Sequence, residues 1–561
     1  MDAAAGWLLG VARRALDCAQ PALSFTHKID NTDCTLAMVA IYGWVISPLP
    51  QLSSPAIAPA FPCNFQTNDQ WAFDELGSIQ LGDVRNNRRM VKALGQMLNS
   101  PGKSIPQCTR SVAEAKAFYR LLDVETLTDT LLFEVHRQSV LRRALASDCG
   151  VLLAIQDTTT CNFDSHHSLD GLGPISSNGA RADFAGLHVH STLLSAADED
   201  QVFGLLGAKL YAREAGLRKQ QAPGTRNRER IETKESVRWI ESLSLAHAAL
   251  QTLQGQWPDQ PNQPVAAHEA SFEGEAVAGP LMVSVGDREA DIYELLIEAQ
   301  QHREQGLGLL VRSQHNRKLV GEEALLWQHL GESDSAGSIT LKLPRSQGKA
   351  ARSVTLSVRF TAVTIDVPAH KAKYLKMDTA VQASIVELRE EGVAGGICWR
   401  LLSTLKVETL AQALRLARWY AKRWQIEEFH RILKTGCRVE ARQMRSLERL
   451  KPMMALDMIV ACSLMGMSAA ARQQPESPAS DWLDAEEINA LDAYESKGAA
   501  PAGAAKLLSI GAAVKSIARL GGHLGRKGDG HPGAQVLWQG LHKLDAITEA
   551  WRRFGSRNSC G

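Results

Sequence analysis

Three acidic residues lie where the sequence pattern can bring carboxylates together. Asp157 follows the apolar run VLLAI in the string QDTTT, and Asp287 ends the run LMVSVG in GDREAD. Each run is short and continuous, the pattern of a strand buried on both faces. A carboxylate just past such a strand end as a rule only caps a turn or a helix. The third acid, Glu427, falls in a helix predicted from Leu410 to Thr435, with Gly436 placed to end it. In a continuous helix, Tyr420, Arg423, Glu427 and Lys434 would share one stripe about 60° wide. On helix geometry alone that stripe reads as a surface where Arg423 pairs with Glu427, contributing a few tenths of a kcal/mol.

Taken together the acids admit other chemistry. Hard divalent cations such as Mg²⁺ prefer carboxylate oxygens and keep several waters. Two aspartates on neighbouring strands and a glutamate on a packed helix can therefore form a phosphodiester-cleaving site. With two ions roughly 3.5 to 4 Å apart, one lowers the pKa of an attacking water or 3′-hydroxyl and the other stabilises the leaving oxygen. No side chain need be the nucleophile.

The elements that must hold these acids form an α/β stretch. VLLAI at 151–155, HVHSTLLSA at 188–196 and LMVSVG at 281–286 read as strands, with WIESLSLAHAALQTL as a helix between the last two. The Pro- and Gly-rich GQWPDQPNQPVAAHEASFEGEAVAG that follows this helix reads as a loop. After LGLLVRS come the β-like runs SITLKLP, RSVTLSVRFTAVTI, VQASIVELRE and ICWRLLST, a β-rich insertion before the helix of Glu427. Trp71 to about Ala146 has helical periodicity, and the part beyond the Glu427 helix is mostly helical to Phe554. Residues 1–68 show no sustained period and are expected to be poorly ordered.

A chain of 561 residues is too long for one core, so three or four domains are expected. Lys and Arg total 62 against 61 Asp and Glu, a net charge of +1, so any nucleic-acid surface must come from local segregation. Between Arg85 and Arg120 stand Arg85, Arg88, Arg89, Lys92, Lys103, Arg110, Lys116 and Arg120 against the acid Glu114. That excess suits phosphates, and it equally suits a solvated helical face. The 10 cysteines make no C-x-x-C and no zinc spacing, so they read as reduced thiols. Thr35 to Ser47, the most apolar early run, falls short of the roughly 18 residues of a membrane span, and a basic n-region is lacking. A cytoplasmic protein without a membrane partner is expected.

Weaker candidates fall away on their contexts. His166, His167, His188 and His190 have no acid or cysteine at fixed spacing near both pairs. Cys437 has no histidine in reach by sequence. GLGP at 171–174 and GLGL at 306–309 lack the surroundings of a phosphate-cradling loop, so no nucleotide cofactor is expected.

The string YAKRWQIEEFHRILK fits Y-x-x-R-x-x-x-E-x-x-x-x-x-x-K, and it follows LLAIQDTT, VGDREADI and VRSQH in that order. From about Trp71 to its C-terminal region, the chain resembles the bacterial cut-and-paste transposases of the DDE superfamily, in the Tn-five-like insertion-sequence-four family. The resemblance implies a multidomain α/β chain with a ribonuclease H-like catalytic core at 147–445, interrupted by the β-rich insertion at about 313–400. A helical DNA-binding domain at 69–146 would precede the core, and a helical dimerisation domain at 446–561 would follow it. SIARLGGHLG, from Ser516 to Gly525, is a string of that last domain.

The same resemblance makes Asp157, Asp287 and Glu427 both catalytic and metal-binding, for two Mg²⁺ ions that Mn²⁺ can replace. Tyr420, Arg423, Lys434 and Arg312 would contact DNA near the transposon end, and Arg85 and Arg89 would contact it from the N-terminal helices. Trp399, in ICWRLL, aligns with a tryptophan that stacks on a base flipped out during hairpin formation, although a strand tryptophan also reads as buried packing. The implied reaction is hydrolysis to a 3′-hydroxyl, hairpin formation, hairpin opening and transfer into target DNA by a homodimer in a synaptic complex. Competing readings are an inactive transposase-derived protein that binds or inhibits, and a metal-dependent nuclease without strand transfer.

Overall fold

The computed structural model describes residues 68–147, 149–166, 169–175, 184–213, 229–257, 279–343, 352–373, 375, 380–495, 508–526 and 531–554. The extension expected over 1–68 therefore lies outside the described residues except at Asn68, as does most of the loop expected before Leu281.

The apolar runs become strands of a single sheet. They are β1 (Val151–Asn162), β2 (Gly173–Pro174), β3 (Ala185–Ala196), β4 (Val202–Tyr211), β5 (Leu281–Gly286), β6 (Leu307–Arg312), β7 (Gly337–Leu343), β8 (Arg352–Ile365), β9 (Val381–Glu390) and β10 (Cys398–Ser403). The order is β2-β3-β1-β5-β6-β10-β9-β8-β7, with β4 also paired to β3. β1, β5 and β6 run parallel, and the other pairs are antiparallel. Parallel neighbours need long crossovers, which helices supply here, and burial on both faces explains why VLLAI is continuously apolar and LMVSVG nearly so. β7 instead alternates exposed and buried residues, as one-sided strands do. β10 pairs with β6, so the β-rich insertion extends the central sheet and is continuous with it.

Period-two alternation divides the side chains between two cores. Leu153, Ile155, Val283 and Val285 face a layer with Ile426 and Phe429. Leu152, Ala154 and Met282 face a layer with Trp239, Leu243 and Tyr293. The second layer comprises α6 (Val237–Gln256), α7 (Tyr293–Gln301) and α8 (Leu326–Glu332), numbered after the five N-terminal helices given next.

Those five are α1 (Asn68–Leu76), α2 (Val84–Asn99), α3 (Ile105–Cys108), α4 (Val112–Leu121) and α5 (Asp129–Ala146). Side chains of Asp83, Ser111 and Thr128 accept backbone N–H groups at the starts of α2, α4 and α5, satisfying donors left open there. α5 lies on β4, and a buried ionic cluster ties α1 to it: Glu75 of α1 pairs with Arg143 and, at 2.6 Å, with His136 Nδ1. Arg143 Nε also donates to the Phe203 carbonyl at 2.9 Å. Gly204 beside it has φ +133, where a Cβ would stand 2.7 Å from Val140 Cγ2.

After the sheet come α9 (Leu410–Ala421), α10 (Trp424–Arg431), α11 (Leu447–Gln473), α12 (Ala485–Glu495), α13 (Ile510–Leu520) and α14 (Ala534–Phe554). α11 is long and apolar enough to cross a membrane, but 89% of its most apolar window is buried inside the protein. A helix apolar on all sides is what a core position requires. Its Asp457 is held from both sides by Arg442, whose Nε and Nη2 donate at 2.8 and 2.5 Å. α14 reaches back to the N-terminal helices, where Asp545 accepts from Lys103 at 2.8 Å and Ser100 at 3.0 Å.

Asp457→Ala would leave the Arg442 charge buried without its carboxylate. The expected cost is about 3–5 kcal/mol, read as a lowered urea midpoint at unchanged slope.

Candidate active site

β1 and β5 pair from Val151↔Leu281 to Ile155↔Val285. Two residues on, Asp157 within β1 and Asp287 just past the end of β5 stand on the side already carrying Ile155 and Val285, the side towards α10. Asp287 begins a tight 3₁₀ turn, Arg288–Ala290, and its Oδ1 accepts the Glu289 amide at 2.8 Å. Gly286 permits that turn, because a Cβ there would lie 2.4 Å from Ala290 Cβ. Asp157 Oδ1 accepts the Thr158 amide at 2.7 Å.

The third acid arrives on a broken helix. The single helix expected from Leu410 to Thr435 is α9, a turn at Lys422–Arg423, α10, and a π-type turn over Ile432–Gly436. Lys422 explains the break. Its side chain is 0% exposed, and its ammonium donates to the Ala196 carbonyl at 3.0 Å and to that of Glu199. Amides of Arg423, Gln425 and Ile426 each reach back three residues instead of four, tightening the turn. Burial pulls the Lys422 ammonium down to about 8, against the nearby Asp200, Asp198 and Glu199. Gly436 does not take the expected left-handed conformation; Arg438 does, with φ 50.

The break changes what the signature residues touch. Arg423 donates to Asp157 Oδ2 at 2.9 Å and to Glu427 Oε1, so one guanidinium bridges two of the acids. Burial pushes the Asp157 carboxyl up to about 6, with Arg423 opposing and Glu427 adding to the rise. Burial and the charge of Asp157 also raise Asp287. Burial works against the Arg423 charge, but Glu427 and Asp157 hold it protonated, well above the usual guanidinium range. Among the described residues, no three His, Cys, Asp or Glu side chains are gathered closely enough to hold an ion as they stand. The donors nevertheless suit a hard divalent cation: they are carboxylates, and two are half-buried and raised, with Arg423 the cation in contact.

The expected DNA contacts are placed unevenly. Tyr420 packs edge-on against Trp399 with ring centroids 5.4 Å apart, and the two are 1% and 0% exposed. Trp399 thus occupies the packing position that a strand tryptophan equally suggests and offers no open face to a base. Arg312 is buried, with Nη2 3.4 Å from the Cys398 carbonyl. Lys434 is half-buried in the π-type turn. On α2, Arg85 and Arg89 are exposed; Arg85 pairs with Asp83 at 2.9 Å and Arg89 donates to Asn86 at 3.1 Å. Lys92 pairs with Glu114 and Lys103 with Asp545, while Arg88, Arg110, Lys116 and Arg120 remain exposed.

Other residues serve the site without a signal in the sequence. Arg238 Nε donates to Thr158 Oγ1 at 3.0 Å and Nη2 to Glu289 at 2.8 Å. His190 Nδ1 lies 2.8 Å from the same hydroxyl, and burial lowers its pKa well below the usual histidine range. Cys437 is buried, its thiol pushed far up by desolvation, which ill suits a nucleophile.

Comparison with known families covers much of the chain in three pieces. Residues 68–127 match the family described as Transposase DNA-binding, 207–462 the Transposase DDE domain, and 461–561 the Transposase Tn5 dimerisation domain. All three are transposase families, and the last is of the Tn5 type. Asp287, Glu427, Arg423 and Arg238 lie inside the DDE match, and Asp157 lies before it. Arg85 and Arg89 lie inside the DNA-binding match. Among solved structures, a piggyBac transposase synaptic complex with hairpin DNA aligns at 10% identity and TM-score 0.31, over 100% of this chain and 82% of that one. So slight a likeness carries no argument.

The raised Asp157 carboxyl has a consequence for stability. The folded protein holds this proton more tightly than the unfolded chain does, so stability is lost as pH rises from the unfolded value towards about 6. With metal chelated, Asp157→Asn should be more stable than the parent by roughly 1–3 kcal/mol at about pH 8 and little different at about pH 4. Paired thermal melts at the two pH values measure it.

Proposed function

We propose that this DDE transposase excises and inserts DNA with Asp157, Asp287 and Glu427 as the acids that hold two Mg²⁺ ions, Mn²⁺ substituting. The observation that carries this reading is the pair of aspartates two residues past the end of the β1·β5 ladder, joined to the helix of Glu427 through Arg423. Ligand sites of open α/β sheets lie at the carboxyl ends of parallel strands, which is where this pair stands. The order β4-β3-β1-β5-β6, antiparallel and then parallel, supports a ribonuclease H-like core.

When bound, the ions would activate a water or 3′-hydroxyl and stabilise the leaving oxygen. The chain's own part is positional. Asp157 and Asp287 stand on adjacent strands, and Glu427 closes the site from α10. Arg423 is a planar fork that fits a phosphate as well as it fits the two carboxylates it now bridges. Lys434 and the exposed cations of α2 would hold the flanking backbone, with the N-terminal helices on the inverted repeat. The reaction would pass through a DNA hairpin to strand transfer, within a dimer assembled through the C-terminal helices.

Cleavage and joining of DNA carrying the element's inverted repeats, with Mg²⁺ or Mn²⁺ against EDTA, tests the reading. Asp157→Ala, Asp287→Ala and Glu427→Ala should each abolish products while end binding persists in a mobility-shift assay. A variant that still cuts would remove its residue from the site. Binding without cleavage by the parent would favour an inactive relic, and cleavage without joining a nuclease.

The DNA contacts have a separate signature. Arg89→Ala and Lys434→Ala should each weaken end binding and reduce the slope of log affinity against log salt by about one unit. An unchanged slope would mean that the cation meets no phosphate.

A further inference from the structure

A second guanidinium joins the two aspartate-bearing strands from the face opposite Arg423. The backbone ladder between β1 and β5 ends at Ile155↔Val285, so both segments leave it before the acids are reached. Arg238, on the first turn of α6 and 6% exposed, spans the gap. Its Nε donates to Thr158 Oγ1 at 3.0 Å, its Nη2 to Glu289 Oε2 at 2.8 Å, and its Nη1 to the Glu235 carbonyl at 2.9 Å. Thr158 directly follows Asp157, and the Glu289 amide is the donor to Asp287 Oδ1. The anchor is fixed from behind, because His190 Nδ1 holds the same hydroxyl at 2.8 Å and stands edge-on to Trp239, centroids 4.7 Å apart. A rigid fork sets the separation of two partners in a way that a flexible ammonium does not.

We propose that Arg238, with Thr158 and Glu289, is a positioning device that sets the spacing of Asp157 and Asp287 and so their grip on divalent ions. The inference rests on these acids being the metal-holding set. It assigns Arg238 no contact with substrate.

The test uses the full chain and two readouts: the Mn²⁺ concentration at the midpoint of the metal-induced rise in Tm, and kcat and KM for cleaving end DNA. The Glu289 side chain is 65% exposed, so Glu289→Gln leaves the fold intact even if Arg238→Met does not. Glu289→Gln and Thr158→Val should each raise the Mn²⁺ midpoint and lower kcat by about tenfold, the usual effect of losing a partner behind a metal ligand. KM for DNA should stay at the parent value in both and the metal-free Tm in Glu289→Gln, and Thr158→Ser, which keeps the hydroxyl, should restore the midpoint. Parent-like midpoints in Glu289→Gln and Thr158→Val would overturn the inference, as would losses that merely follow a lowered metal-free Tm. A parent chain without any Mn²⁺ response would overturn it as well. If the parent takes up Mn²⁺ but cuts no DNA, the transposition reading fails instead, and the midpoints still decide the role of Arg238.

Discussion

Negative charge held partly out of water at the end of a parallel strand ladder is the constraint that the surrounding structure answers. Asp157 and Asp287 are both raised by desolvation, and each is raised further by a neighbouring carboxylate. Such a cluster persists only where fixed cations and donors stand around it. Arg423 supplies the nearest cation, spanning Asp157 and Glu427, and the amides of Thr158 and Glu289 supply donors. Arg423 must itself be aimed, which the turn at Lys422 accomplishes. Lys422 in turn is anchored to carbonyls of the β3–β4 hairpin, and Asp198 and Asp200 there hold Trp419, Arg415, Gln425 and Arg472. The break in the helix is thus bound to the sheet at several points.

The strands and most helices were legible because each has a period that its burial enforces. VLLAI and LMVSVG lie between two layers, and the buried polar residues in and after them, Ser284 and Gln156, satisfy each other. The signature string was legible as a helix but not as a broken one. Lys422 looks like any solvated lysine in sequence, and only the fold brings carbonyls of residues 196 and 199 to its ammonium. The same limit hid Arg238, whose partners lie 80 and 51 positions away. The place of the β-rich insertion was hidden as well, because pairing of β10 with β6 is a long-range fact. Trp399 and Tyr420 are placed by the same long-range packing. Their residue types suit contact with DNA, but the fold has packed them against each other.

The terminal helices are not appendages to this core. Glu75, His136 and Arg143 weld α1 and α5 to the β4 strand through a buried ionic cluster, and such a cluster tolerates little misalignment because each unpaired member would be costly. At the other end, Asp545 of α14 meets Ser100 and Lys103 next to α2. The helices matching a DNA-binding family are therefore fixed in orientation relative to the strands that carry the acids. That rigidity is what a site acting at a set distance from its recognition sequence requires.

The weight placed on Asp157 comes from register. It lies outside the matched family ranges, so its membership in the site depends on how β1 pairs with β5. Side chains alternate along a strand, and a slip of one residue would turn Asp157 towards Trp239 and leave Gln156 facing Arg423. Three independent features oppose that slip. Gln156 Nε2 donates to Ser284 Oγ at 2.7 Å on the far face. Thr158 is held there by Arg238 and His190. The antiparallel ladder with β3 continues unbroken from Leu152↔Ala196 to Asn162↔Gly186. Each depends on an even-numbered residue facing α6 or on the ladder itself, so the odd-numbered aspartate is left pointing at Arg423 and Glu427.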